Sequence, residues 1–325
     1  MNTIAEYIWI DGYGELRSKI KVLDSKDYSV ENMPIWNFDG SATRQGTVEN
    51  SEVILRPVEM YQNPFHQGGY LVMCETYTQS DKSLSAHQSN NRFRTLEYFQ
   101  YSDYYQPWYG IEQEYYIIEQ NSNDQYEKQQ GKYYCGINIK GRAVAEAHMH
   151  ACLTAGLKIS GINAEVGPTQ WEYQIGPVKG IEAADQLWIS RYILQRIAEE
   201  HKVSVTFHPK PIGEEWPGSG CHVNFSTVQM RLPQGYQEII RVIEKLNTTH
   251  DKYIQACGED SQKRLTGDHT TAMLSSFSWG IGSRNTSIRI PKETFIKQCG
   301  YFEDRRPSSN MDPYTVCGLL LEAVL

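Results

Sequence analysis

The chain has no Cys-x-x-Cys pair, no run of about eighteen apolar residues, no excess of basic charge and no Walker-type phosphate loop. Each absence closes off a class of protein. Seven cysteines, at positions 74, 135, 152, 221, 257, 299 and 317, are odd in number and scattered. They suggest neither a disulfide framework nor a zinc knuckle, and they read as reduced thiols of a cytosol. Without a long apolar run, no transmembrane helix is expected. Met1 to Ile10 carries Glu6 inside its apolar stretch and lacks a basic leader region and a cleavage signal. The expected compartment is the cytoplasm. A formal net charge of −8 argues against the basic face that non-specific nucleic-acid binding requires. It does not exclude small anions, which a few placed arginines can hold. Internal repeats and low-complexity tracts are also missing.

What is present is ordinary globular composition, with 22% charged and 40% hydrophobic residues over 325 positions. That length suits one large domain or two unequal ones. Early segments read as strands and turns: Tyr7–Ile10 and Ile20–Leu23 flank the turn Asp11-Gly12-Tyr13-Gly14, and Val53–Leu55 and Tyr70–Met73 follow the same pattern. The polar stretch Gln79–Asn91 reads as a linker or long connection. A small β-rich domain over 1–80 and a larger mixed domain over 81–325 are therefore expected, an α+β chain. Helices are expected over Ala143–Ala155, stopped by Gly156, over Ile181–Glu200 and over Glu238–Ala256. The last has Ile239, Val242, Ile243 and Leu246 at helical spacing, which marks a core face and nothing more.

Chemistry concentrates on strands with one apolar face and one loaded face. In Tyr109–Ile117, alternation puts Tyr109, Ile111, Tyr115 and Ile117 on one side and Glu112 and Glu114 on the other. Same-face neighbours lie roughly 6–7 Å apart, and two carboxylates that close resist joint ionisation in a partly buried site without a cation. Glu172, with Glu165 upstream, faces away from Trp171, Tyr173 and Ile175. His222, Asn224 and Ser226 share a face away from Val223 and Phe225, and Glu303 pairs with Arg305. A lone histidine on such a strand is ordinarily a hydrogen-bonded core residue, but four strands with matching polarity point to a site. Carboxylates with a single imidazole favour Mg²⁺ or Mn²⁺ over zinc. Arg264, Arg284, Arg289, Arg305 and Arg306 are candidates for phosphate and carboxylate recognition. Gly218-Ser219-Gly220 allows close backbone approach.

The motifs Trp36-Asn37-Phe38-Asp39-Gly40-Ser41, Gly110–Tyr115, Asn163–Val166 with Gln170-Trp171-Glu172, Gly218–His222, Arg264–Gly267 and Phe302–Pro307 together resemble type II glutamine synthetase along nearly the whole chain. The resemblance implies a β-grasp N-terminal domain and a catalytic domain whose antiparallel sheet lines a metal and ATP funnel. It implies a homo-oligomer, a decamer of two rings with active sites between subunits. It implies Glu114, Glu165 and Glu172 on one metal, and Glu112, His222 and Glu303 on the metal at the nucleotide phosphates. Trp108, Asn224, Ser226 and Arg231 would line the ATP site, with Arg289 on the phosphates. Arg264, Arg284 and Arg305 would bind glutamate and the transferred phosphate beside Gly218, and Asp39 would reach the amine site of the adjacent subunit. The implied reaction makes glutamine from glutamate, ammonia and ATP, with no nucleic-acid or membrane partner.

Three positions depart from that family's pattern. Thr270 stands where the family has a flap glutamate that helps take a proton from ammonium, and a threonine supplies neither charge nor base. Ala42 and Pro217 replace a serine and an asparagine at the same end of the site. The alternatives are a ligase for a larger amine and a catalytically weak regulatory homologue. A guanidino phosphotransferase shares the catalytic fold but not this set of motifs.

Overall fold

The computed structural model describes residues 2–24, 27–80, 83–119, 137, 139–214 and 216–325. The chain divides into two compact units, residues 1–97 with 151–157, and residues 98–150 with 158–325.

The first unit is built on strands β1 (Thr3–Ile10), β2 (Leu16–Leu23), β3 (Trp36–Asp39), β4 (Glu52–Gln62), β5 (Tyr70–Ser80) and β6 (Ser83–Ala86). They form one sheet in the order β2-β1-β5-β4-β3, with β6 on β5. All pairings are antiparallel except β1 with β5. Asp11 sets the β1–β2 turn, its Oδ1 accepting from the backbone N–H of Tyr13 at 2.8 Å and Glu15 at 3.0 Å. Gly14 there has φ +78°, which a residue without Cβ adopts freely. Ala5, Tyr7 and Trp9 share a face and pack with Leu55, Val72 and Cys74 into an apolar core. The polar stretch Gln79–Asn91 is not a linker: its described residues finish β5 and form the β5–β6 hairpin, ending at Asn90, whose Oδ1 accepts from the Phe93 N–H at 3.1 Å at the start of helix α1 (Asn91–Phe99).

Among its described residues the second unit has eight strands. They are β7 (Trp108–Glu119), β8 (Ile159–Ala164), β9 (Gln170–Lys179), β10 (Val203–Thr206), β11 (Cys221–Ser226), β12 (Trp279–Ile281), β13 (Ile288–Ile290) and β14 (Phe302–Asp304). Their order is β12-β13-β14-β11-β7-β9-β8, with β10 also on β7. The sheet is antiparallel apart from β12 with β13. The helices are α2 (Ser102–Tyr105), α3 (Arg142–Ala155), α4 (Glu182–Glu200), α5 (Val228–Arg231), α6 (Tyr236–Thr248), α7 (His250–Ile254), α8 (Lys292–Lys297) and α9 (Pro313–Glu322). Helix α3 stops at Gly156, φ +86°. The helix expected over Glu238–Ala256 is two helices. The hydroxyls of Thr248 and Thr249 both donate to the Lys245 carbonyl, at 2.8 and 3.2 Å. The same carbonyl also keeps its helical bond from the Thr249 N–H at 3.2 Å, and the first helix ends there. Its apolar stripe holds: Ile239, Val242, Ile243 and Leu246 are fully buried. Tyr109, Ile111, Tyr115 and Ile117 of β7 are likewise buried, each worth roughly 1.5–3 kcal/mol of burial. With that face committed to the core, alternation turns Glu112 and Glu114 to the opposite face.

No helix among the described residues is long and apolar enough to cross a membrane. The six described cysteines form no disulfide; Cys135 lies outside the described residues.

Candidate active site

Strand register brings the loaded faces together. His222 on β11 stands opposite Glu112 on β7, Asn224 opposite Glu303 on β14, and Glu114 opposite Glu172 on β9. Two groups of ligand atoms result, Glu112–His222–Glu303 and Glu114–Glu165–Glu172, with the atoms of each within 4.8 Å of one another. Glu165 comes from the β8–β9 connection, where its backbone N–H bonds the Gln170 carbonyl at 2.9 Å.

In the first group, His222 Nδ1 lies 3.4 Å from Glu303 and 3.6 Å from Glu112. Burial, then the charge of Arg305, holds the His222 imidazole well below its ordinary pKa. A neutral ring keeps a lone pair for a cation. Asn224 Nδ2 donates to Glu112 at 2.7 Å. Glu303 is clamped by Arg305 at 2.6 Å and Arg289 at 3.0 Å. In the second group, Glu114 accepts from the Gly220 N–H at 2.7 Å and from Gln170 at 3.1 Å. Glu165 accepts from Asn163 at 3.2 Å, and Glu172 from Gln174. Burial first, then neighbouring carboxylates, pushes Glu114 up to about 8 and Glu172 to about 9. A divalent cation removes that conflict, so the donor set fits a hard, oxygen-preferring ion.

Beside Glu112 opens a cavity of ≈ 510 Å³, lined by Trp108, Pro177, Phe225, Tyr301, Asn224, Ser226 and Arg231 among others. Its size and mixed apolar and polar walls suit a drug-sized ligand. Arg231 is heavily committed there. Its Nη1 donates to the Ser226 hydroxyl at 2.9 Å and carbonyl at 3.1 Å, its Nη2 to the Gln106 carbonyl at 2.8 Å, and its Cζ sits 4.1 Å from the Trp108 ring centroid.

The remaining arginines are placed unequally. Arg264 is buried, and its Nη2 reaches the carbonyls of Arg305, Arg306 and Pro307 at 2.8–2.9 Å while Nε donates to Ser308. Burial brings its pKa down to about 10. Arg305 donates from Nε to the Arg284 carbonyl at 3.2 Å and from Nη2 to the Thr270 carbonyl at 3.4 Å. Arg284 is exposed on the β12–β13 connection, and its charge reaches His222. Arg306 points elsewhere, fully buried against Asp304 at 2.7 Å. The glycines do allow close approach. A Cβ on Gly220 would meet His222 Nε2 at 2.7 Å, and one on Gly218 would meet Arg264 Cγ at 2.5 Å. Thr270 is exposed with φ +64°, and His269 before it has φ +48°. Pro217 is half-buried, its carbonyl accepting from the Tyr116 hydroxyl at 2.8 Å. Asp39, with Ala42 nearby in a short 3₁₀ turn, belongs to the first unit and is exposed. Ser41 donates to Asp39 from backbone and hydroxyl and lowers its pKa.

The sequence alone assigned no role to Gln174 and Asn163, which orient Glu172 and Glu165, or to Tyr301 and Ser160 in the cavity wall. Gln174 had a signal, since it lies two residues from Glu172 on the same face. The other three depend on pairing or loop course.

Paired carboxylate nests on a largely antiparallel sheet, flanked by arginines and a cavity, form a site whose donors suit divalent cations and anions. Residues 90–239 match the glutamine synthetase catalytic-domain family. The chain is 46% identical to the glutamine synthetase of Candida glabrata over 99% of its own length and 88% of that protein's. It is 45% identical to that of Yarrowia lipolytica, covering 99% and 90%, and 45% identical to a cytosolic glutamine synthetase isozyme of Daucus carota, covering 99% and 94%. The chain belongs to the glutamine synthetase family.

Proposed function

We propose that the protein is an ATP-dependent glutamate–ammonia ligase that forms glutamine in the cytoplasm. The observation that carries this is the juxtaposition of the two carboxylate nests with the cavity that Glu112 also lines. Glu114, Glu165 and Glu172 would hold one Mg²⁺ or Mn²⁺, and Glu112, His222 and Glu303 another. When bound, such cations neutralise charge on the transferring phosphoryl group. Trp108, Asn224 and Ser226 shape the nucleotide cavity, with Arg231 bracing Trp108 and Ser226, and Arg289 next to the phosphates. Arg264, Arg284 and Arg305, with Gly218, orient the glutamate carboxylates and the phosphate. The γ-carboxylate oxygen attacks the γ-phosphorus, ADP leaves, and a γ-glutamyl phosphate results. Ammonia then attacks the carbonyl carbon and inorganic phosphate departs. An ammonium ion must first lose a proton. Asp39 of an adjacent subunit is the base proposed there, since Thr270 carries no ionisable group. This assigns residues 1–80 to a β-grasp domain and 81–325 to catalysis, in a homo-oligomer, proposed as a decamer of two rings.

The test is phosphate release from ATP with Mg²⁺, glutamate and a panel of amines. Turnover with ammonia as the best acceptor is expected. A larger amine as the best acceptor would move the assignment away from glutamine synthesis, and no ATP turnover with any amine would refute the ligase reading.

A further inference from the structure

Behind the nests, on the face of the sheet turned away from them, lies a buried arginine that no step of the reaction uses. Arg191 of α4 is 2% exposed. Its Nε donates to Gln113 Oε1, its Nη1 to the Met311 carbonyl and its Nη2 to the Ser309 carbonyl, each at 2.9 Å. Among the described residues it has no carboxylate partner. A buried guanidinium with only neutral acceptors is costly to keep. Its connections indicate what keeps it.

Gln113 sits on β7 between Glu112 and Glu114 and points to the opposite face. It is fully buried, and its Nε2 donates to the Ser309 carbonyl at 3.0 Å and to the carbonyl of Glu114 at 2.8 Å. Ser309 lies five residues after strand β14, which is separated from β7 by β11 and carries Glu303, and Arg305 lies between them. The β7–β11 ladder ends at Gln113 opposite Cys221. Beyond it, the loop that follows Arg305 is tied to the sheet by an isolated bridge between Gly220 and Ser308 and by the Cys221 N–H to the Pro307 carbonyl at 2.9 Å.

We propose that Arg191 is a positioning residue for the paired cation sites. Through Gln113 and the carbonyls of Ser309 and Met311, it fixes the strand bearing Glu112 and Glu114 against the segment that leaves Glu303 and Arg305. One fork bonds both partners, so the spacing between ligands from β7 and β14 is set from behind. The inference rests on the reading of the two nests as cation sites.

The test is titration of the full-length protein with Mn²⁺ alone, followed by electron paramagnetic resonance, for wild type, Arg191→Lys, Gln113→Leu and the double variant. Lysine keeps the charge and stem but cannot serve three acceptors in one plane. Mn²⁺ binding by folded Arg191→Lys is expected to weaken by about 10- to 100-fold, the range for partners that orient metal ligands. Gln113→Leu should lose a similar factor, and the double variant no more than the worse single one. A merely structural arginine would lower the melting temperature and leave Mn²⁺ affinity alone. Folded Arg191→Lys within twofold of wild type overturns the inference, as do losses that multiply in the double variant. Wild type that binds no Mn²⁺ overturns the reading of the site and the inference together.

Discussion

The two nests are built mainly of glutamates around one sheet, yet they solve the problem of crowded negative charge differently. Around Glu303 the protein supplies its own cations: Arg305 and Arg289 both hold that carboxylate, and a neutral His222 takes the third corner. Around Glu114 and Glu172 the hydrogen-bond donors are neutral, being the Gly220 N–H, Gln170 and Gln174. Their pKa values rise accordingly, to about 8 and about 9. The Glu303 nest is therefore largely charge-satisfied by protein. The Glu114–Glu172 nest stores a conflict that protons or a divalent cation must relieve, and its stability is tied to what occupies it.

The largest effect should come from neutralising one carboxylate in each nest. Glu303→Gln leaves Arg305 and Arg289 without their shared counter-charge. Breaking a buried ion pair from one side costs about 3–5 kcal/mol, read as a lower melting temperature and denaturant midpoint. Glu172→Gln should do the reverse, raising the melting temperature of the cation-free protein at neutral pH because it removes a group that resists ionisation. Both variants should lose more Mn²⁺ affinity than the roughly 10- to 100-fold typical of an outer-shell change. Stability shifts of the same sign in both variants would break the contrast between the nests.

The separation of ligand faces from core faces is legible in the sequence alone. Alternation along β7 and β11 separates Glu112 and Glu114 from the core face, and His222 and Asn224 from Val223 and Phe225. What alternation cannot supply is register. That Glu114 stands opposite Glu172, and His222 opposite Glu112, depends on pairing between segments far apart in the chain. The same limit hid the commitments of the arginines, since nothing local shows that Arg264 lies under three carbonyls or that Arg231 braces Trp108. The split at Thr249 was missed for a different reason. An apolar stripe reports the buried face of a helix and is blind to where its ladder is interrupted. The polar stretch at 79–91 misled because a short edge strand such as β6, with three of its four residues exposed, has the composition of a loop.

A second, smaller effect sharpens the contrast through pH. For Glu114 and Glu172 the folded pKa lies above the ordinary glutamate value of 4.5. Between about 4.5 and about 9 the folded cation-free protein binds more protons than the unfolded chain, so these groups make stability fall as pH rises through that window. Below it both states are protonated and the contribution is flat. Saturating Mg²⁺ or Mn²⁺ should stabilise most at the alkaline end, where protons no longer compete; at 100 times Kd the gain is about 2.7 kcal/mol. Thermal melts from pH 5 to 9, with and without the cation, check this. Glu172→Gln should flatten the cation-free slope, and an unaltered slope would place the conflict elsewhere.

The smallest test touches no proposed ligand. Asn163 Nδ2 donates to Glu165 at 3.2 Å, and Asn163 Oδ1 accepts from Gln174, the residue that also holds Glu172. Asn163→Ala removes both of these hydrogen bonds, each worth about 1 kcal/mol, and loosens two carboxylates of the same nest. The expected result is a loss of about fivefold in Mn²⁺ affinity for that nest, with a melting temperature close to wild type. The matching change on the other side, Asn224→Ala, removes the donor to Glu112 but leaves Arg289 and Arg305 on Glu303. It should therefore cost the other nest less. If the two substitutions weaken their nests equally, the arginines do not substitute for neutral donors in holding ligands ready, and the difference between the nests is one of charge alone.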